Sequence, residues 1–339
     1  MILDNKIGCF SDIHLGLGQG STEWHEIALN FSKWAAETFR KNGIQDIIIP
    51  GDIFHNRSHI SVETLSIAKK FFDNFSGFNV YISTGNHDCF LKDTSEINSI
   101  SILNGWNNIN IVENSPKIFK TENGKTVCLV PWGSTINDIP TCDIMFGHFE
   151  ISSFRMNSYK ICEHGFSYKD LFKKAPFVIS GHFHTKDDRK YEHGRIVYLG
   201  SPYQQNFGDV LDSRGIYVLD LIENDMKFIE NDISPKHYKI KINEDVDENV
   251  IKNNFISLII DNNIDNEEII KFKGKLLNLN PKNIKIQYQE SEINDNDTKT
   301  QELDNLDLMK NIEDYIENLK LENKKEVVDY IKTMYNSLV

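Results

Sequence analysis

The chain has 339 residues, a formal charge of −13, 40% hydrophobic and 11% aromatic residues. That is enough apolar material for one large domain and a smaller one, and the acidic balance weighs against a protein that grips nucleic acid alone through a broad basic face. No run of 18 apolar residues points to a membrane span, and residues 1–6 lack the basic start and apolar run of a signal peptide. The five cysteines are odd in number and form no CxxC pair, so they read as the reduced thiols of a cytoplasmic protein.

The first 220 residues alternate short apolar runs with helical patterns. Residues 7–11 read as a buried strand, and Trp24, Ile27, Ala28, Phe31, Trp34, Ala35 and Thr38 follow at helical spacing. Residues 46–50 predict a second strand, Leu65, Ala68, Phe71, Phe72 and Phe75 a second helix, and 79–84 a third strand. Such alternation implies crossover connections and a mainly parallel layer. Later runs at 127–130, 143–146, 177–180, 196–199, 215–219 and 227–230 are shorter and closer, and predict added antiparallel sheet.

From Pro235 the texture changes. Residues 239–242 and 284–288 alternate in polarity, 257–260 form an apolar strand, and 267–277 have helical character, which together predict a small α+β module. Residues 290–304 are polar and acidic and suit a linker. Two amphipathic helix patterns follow, Leu308 to Leu319 and Val327 to Leu338. A hairpin this small buries both apolar faces poorly, so it is expected to need a partner. From 290 to the end, 13 acids face 6 lysines, so more than half of the negative excess sits there.

Six of the eleven histidines fall in five clusters at or just after predicted strand ends: Asp12-Ile13-His14, Gly51 to Arg57 with Asp52 and His55, Gly85-Asn86-His87-Asp88, Gly147-His148, and Gly181-His182-Phe183-His184. In an open α/β layer, ligands bind beyond the carboxyl ends of strands, so all five can converge at one edge. Mixed carboxylates and imidazoles suit Mn²⁺, Fe²⁺ or Zn²⁺ more than Mg²⁺ or Ca²⁺. One carboxylate can bridge two ions roughly 3.5–4 Å apart, and Asp52 is the best placed for it. A single histidine at a strand end is more often structural, but five clusters in succession leave little room for coincidence. His25, His59, His164, His193 and His237 lie outside them and read as surface or structural. Gly124-Lys125-Thr126 lacks the upstream glycine of a phosphate-binding P-loop and reads as a turn; Gly16, Gly18 and Gly20 read as a flexible loop.

The order DxH, GDxxx, GNHD, GH, GHxH resembles that of calcineurin-like metallophosphoesterases over about residues 6–200. Phosphoprotein phosphatases of that superfamily typically carry GDxxDRG and GNHE. Gly51 to Arg57, Gly85 to Asp88, and the later run Tyr198-Leu199-Gly200-Ser201-Pro202 look instead like the SbcD-type DNA repair nucleases. Length and acidic tail look like the smaller subunits of T-even phage recombination endonucleases. The resemblance implies a four-layer α/β/β/α core at 1–232, a small α+β capping, DNA-binding domain at 233–289, an acidic linker at 290–304 and a helix-loop-helix at 305–339. It implies that Asp12, His14, Asp52 and His184 hold one metal and Asp52, Asn86, His148 and His182 the other, most characteristically Mn²⁺. It implies that His87 stabilises the transition state or protonates the leaving oxygen and that His55 stands next to the phosphate. Asp88 is expected to orient His87. The implied activity is exonuclease on double-stranded and endonuclease on single-stranded DNA. An SbcC-type coiled-coil ATPase is the implied partner through 305–339, together with a homodimer for which helices such as 61–76 are candidates. A small-substrate phosphoesterase, a nucleotidase or phosphatase, is the alternative.

Overall fold

A computed structural model describes residues 2–156, 160–261, 264–288 and, near the C-terminus, 324, 325, 327 and 328. The expected acidic linker lies outside the described residues. So does the expected hairpin, apart from those four helical positions. Residues Met1–Gln289 form one compact unit.

The chain forms, in order, β1 (Ile2–Leu3), β2 (Lys6–Cys9), α1 (Thr22–Lys41), β3 (Asp46–Pro50), α2 (Val62–Asp73), β4 (Asn79–Ser83), β5 (Ile109–Val112), β6 (Lys117–Thr121), β7 (Thr126–Val130) and β8 (Ile144–Gly147). There follow α3 (Tyr168–Phe172), β9 (Phe177–Ser180), β10 (Asp187–Tyr191), β11 (Gly194–Tyr198), β12 (Gly215–Asp220) and β13 (Asp225–Glu230). A last group comprises β14 (His237–Lys241), β15 (Phe255–Ile260), α4 (Asn266–Leu277) and β16 (Asn283–Tyr288). Two sheets stack, one in the order β13-β12-β2-β3-β4-β5 and the other β1-β6-β7-β8-β9-β11-β10.

The alternation of strand side chains builds the layers. On β3, Ile47 and Ile49 face the helices α1 and α2, while Ile48 faces the other sheet. On β7, Val127 and Leu129 face inward and Cys128 and Val130 face the outer side. α1 turns Ala28, Phe31, Ala35 and Phe39 onto the sheet, and α2 turns Ile67, Ala68, Phe71 and Phe72, its first turn capped by Ser61 Oγ accepting from Thr64 N at 3.0 Å. The layers follow the α/β/β/α order of a metallophosphoesterase, but the outer side of the seven-stranded sheet carries chiefly loops and the five-residue α3.

The expectation of antiparallel pairing for the later strands is corrected. It holds for β12 and β13 and for β7 and β11 against β6 and β10, but β7, β8, β9 and β11 pair with one another in parallel. Their crossovers are loops rather than long helices, so no helical periodicity announces them. The glycines 16, 18 and 20 are likewise not a slack loop. Residues Leu17–Gly20 close a tight turn in which a Cβ on Gly18 would stand 2.3 Å from the Trp24 indole. Gly124 sits in the turn between β6 and β7, as the sequence suggests.

β14, β15 and β16 form a separate parallel sheet around Ile240, Ile256, Leu258, Ile269 and Leu276. It leans on the main sheets through an aromatic stack: His237 and Phe255 lie 4.6 Å apart, and Trp24 lies 5.3 Å from Phe255. No helix among the described residues is long and apolar enough to cross a membrane.

Candidate metal centre

All five clusters meet at one edge. β2, β3 and β4 run parallel, as do β8 and β9, and each cluster follows the carboxyl end of one of these strands. The loops after β2 and β3 stay paired: His14 N donates to the Asp52 carbonyl at 3.1 Å and Leu15 N to that of Ile53 at 2.7 Å. The turns are tight enough to force Asp12, His14, Asp52 and His182 to φ between 52° and 89°. Side-chain-bearing residues seldom occupy this left-handed region; holding one there costs about 1–3 kcal/mol, and such strain gathers at functional sites. Four of the seven expected ligands carry it. Gly85 makes the closure possible, since a Cβ there would stand 2.2 Å from Asp52 Oδ1.

The ring nitrogens are sorted by their outer partners. His148 Nδ1 donates to the Pro50 carbonyl at 2.8 Å, which in the neutral ring leaves Nε2 as a lone pair 3.0 Å from Asn86 Oδ1 and 3.3 Å from Asp52 Oδ2. His182 Nε2 meets Glu150 Oε1 at 3.2 Å, and its Nδ1 faces Asn86 Oδ1 at 2.9 Å. His14 Nε2 lies 3.5 Å from Asp52 Oδ2 and 3.1 Å from His184 Nε2, which is itself 3.9 Å from Asp12 Oδ1. One Asp52 oxygen therefore looks to both halves of the cluster. Asp12, His14, Asp52 and His148 are at most 2% exposed. With the rings neutral, Asn86 Oδ1 faces the lone pairs of His148 Nε2 and His182 Nδ1, an arrangement that costs free energy and that bound cations relieve. The donor set fits a pair of divalent ions, with ligand atoms of Asp12, His14 and His184, and of Asp12, Asp52 and His148, gathered within 4.8 Å.

Electrostatics follow the same division. Burial holds His14 and His184 below the ordinary imidazole range, so both are neutral. Burial opposes charge on Asp52, but His148 and then His14 and His87 hold its carboxyl well below the usual range. Burial also lowers His148, yet the carboxylates of Asp52 and Asp12 outweigh it and raise the group to about 9. Proton and metal compete for such a nitrogen.

His87 sits at the open side. Its Nδ1 donates to the His55 carbonyl at 2.7 Å, so Nε2 points away from that anchor. Its backbone N donates to Asp52 Oδ1 at 2.8 Å, and its ring lies 5.6 Å from that of His55. His55 is half-buried and held low by burial and by His87.

The expected link from Asp88 to His87 is corrected. Asp88 Oδ1 accepts from Ile53 N and Phe54 N at 3.0 and 3.1 Å, and Oδ2 accepts from Gly85 N at 2.9 Å. The carboxylate thus ties the loop after β3 to the loop after β4, and a carbonyl takes over the anchoring of His87. Burial, then the Asp52 charge, lifts Asp88 to about 7. Of the other histidines, His25 and His237 are buried in packing contacts, His193 is exposed, and His164 pairs with Glu150 at 3.4 Å. Glu150 escaped the sequence reading; its position two residues after His148, beyond the end of β8, was the available signal.

The sequence pattern of "Calcineurin-like phosphoesterase" matches residues 5–265. "Exonuclease subunit 1" of Enterobacteria phage T4 is 30% identical over 239 residues, spanning 67% of this chain and 68% of that protein. Protein R555 of Acanthamoeba polyphaga mimivirus is 25% identical over 280 residues, 74% of this chain but 20% of its own length. Among solved structures, a dimetal phosphatase from Danio rerio matches at 11% identity with a TM-score of 0.43, covering 66% of this chain and 95% of that one.

Proposed function

The chain belongs to the calcineurin-like phosphoesterase family, and from that premise we propose that it is the nuclease subunit of an SbcCD-like recombination and repair complex, hydrolysing DNA phosphodiester bonds with Mn²⁺ as exonuclease on double strands and endonuclease on single strands. The convergence of buried, strained carboxylate and imidazole ligands beside His87 is the observation that carries the hydrolytic part. DNA as substrate is supported by the likeness to the phage T4 exonuclease subunit and by the Gly51 to Arg57 and Gly85 to Asp88 variants.

In this reading Asp12, His14, Asp52 and His184 hold one cation and Asp52, Asn86, His148 and His182 the other. Bound there, two such ions would supply positive charge to the phosphoryl oxygens and would acidify a water near neutral pH. His87, its Nδ1 fixed by a carbonyl, presents Nε2 to the reacting phosphate; in the protonated form it donates to the leaving oxygen. His55 borders the phosphate beside it. Asp88 holds the two loops in register.

A charge of −13 gives little unaided grip on a polyanion. The partner ATPase, bound through 305–339, supplies much of the phosphate contact in this reading, and a homodimer uses the helices around 61–76.

The test is cutting of linear double-stranded and circular single-stranded DNA with Mn²⁺, with Mg²⁺ and with chelator. Mn²⁺-dependent cutting that falls by at least about a hundredfold in His87→Ala is expected. Rapid turnover of a small phosphate ester with intact DNA would sink the nuclease reading. Removing 305–339 is expected to abolish binding of the ATPase and to leave Mn²⁺-dependent cutting in place.

A further inference from the structure

A cavity of about 510 Å³ opens beside the centre. Trp132, Ile136, Phe149 and Phe166 form its apolar wall, and His148 and Glu150 stand where it meets the ligands. Trp132 is held firmly. Its backbone N donates to the Thr84 carbonyl and to Thr84 Oγ1, both at 3.1 Å, and its Nε1 donates to the Lys92 carbonyl at 2.6 Å. Thr84 directly precedes Gly85 and Asn86, so the indole is fixed to the loop that carries Asn86. Its ring centroid lies 5.4 Å from that of His182 and 6.0 Å from that of His148.

The chemistry of the wall decides what it takes. Glu150 pairs with His182 at 3.2 Å and with His164 at 3.4 Å; Asp93 and Lys92 also line the cavity. A second phosphate would meet two carboxylates against one amino group, whereas a neutral planar group meets an immobilised aromatic face. Stacking on such a face tolerates any base, because every base offers a π surface.

We infer that this cavity is a nucleobase subsite, in which the base next to the scissile phosphate leaves its stack and lies against Trp132. The inference rests on the DNA reading above. It makes an unpaired base part of the productive complex: single strands enter directly, and a duplex must open at least one pair at the cutting point.

The test uses the full chain and single-stranded oligonucleotides with one cleavable phosphodiester, flanked either by normal bases or by an abasic residue on one side. Trp132→Ala is expected to lose roughly tenfold or more in kcat/KM on the normal substrate, mainly through KM, with Trp132→Phe recovering most of it. On the substrate whose abasic residue occupies the subsite, wild type and Trp132→Ala should cut alike. With metal removed by chelator, emission of 2-aminopurine at that position should be quenched by wild type and not by Trp132→Ala. Thr135→Trp, which fills the cavity from an exposed position, should reproduce the loss if Trp132→Ala folds poorly. Normal-base cutting and 2-aminopurine emission unchanged in these variants would overturn the subsite and leave the nuclease standing. Absence of all DNA cutting in wild type would overturn both.

Discussion

Between α1, α2 and the six-stranded sheet lie Phe10, Phe31, Phe39, Phe71, Phe72 and Phe75, all fully buried. A few residues further along the same strands stand Asp12, Asp52 and Asn86, also buried but with oxygens turned toward the ring nitrogens of His14, His148 and His182. In the first region each ring meets several others, as Phe10 does with Phe31, Phe39 and Phe75, and dispersion and apolar burial add up without directional demand. In the second, each contact is directional, and at Asp12 and Asp52 the backbone is bent into the left-handed region to permit it. The fold is thus held by its redundant part and made reactive by its irreplaceable part.

Three substitutions test that division. Asp52→Asn should reduce phosphodiester hydrolysis by on the order of a thousandfold or more, with the circular dichroism of the folded chain retained. A loss explained by unfolding would break the comparison. Phe31→Ala should do the reverse, lowering unfolding free energy by about 3–5 kcal/mol, with near-normal turnover per folded molecule. Equal damage to turnover would mean that the two regions are mechanically one. The smallest effect concerns pH. Burial pushes His237 down to about 4 from its ordinary 6.5, so between those values the unfolded chain binds the proton that the folded one refuses. The stability is present above 6.5 and is lost as pH falls toward 4. His237→Phe keeps a ring against Phe255 and should flatten the pH dependence of chemical denaturation in that window; an unchanged slope would show that the stack does not set it.

The candidate site was largely legible because its residue types are rare in combination and sit where strands end. That the clusters holding Asp12, His14, Asp52, Asn86, His148, His182 and His184 meet at one edge could be expected without knowing a single distance; their assignment as ligands came from the family resemblance. What stayed illegible depends on which atom meets which. Asp88 sits beside His87 in sequence, but its oxygens face the amides of Ile53, Phe54 and Gly85. Glu150 and Trp132 belong to no motif, and only the meeting of β4, β7, β8 and β9 brings them to the centre. Strands with a helix between them were recognisable as parallel. Those joined by loops were not, and neither β1 nor β5 carries enough apolar pattern to stand out.

The position of β12 has a consequence for how the protein is made. It pairs with β2 through Tyr217 and Cys9, Val218 and Gly8, Leu219 and Ile7, so one of the last strands of the main sheets covers a flank of one of the first. At roughly 5–20 residues per second, a ribosome needs on the order of ten seconds or more to deliver it. During that interval the strand that leads into Asp12 and His14 has an open flank, and β9, which leads into His182 and His184, has itself only just emerged. The metal centre is therefore assembled late in synthesis, after the helical face has had time to bury its phenylalanines.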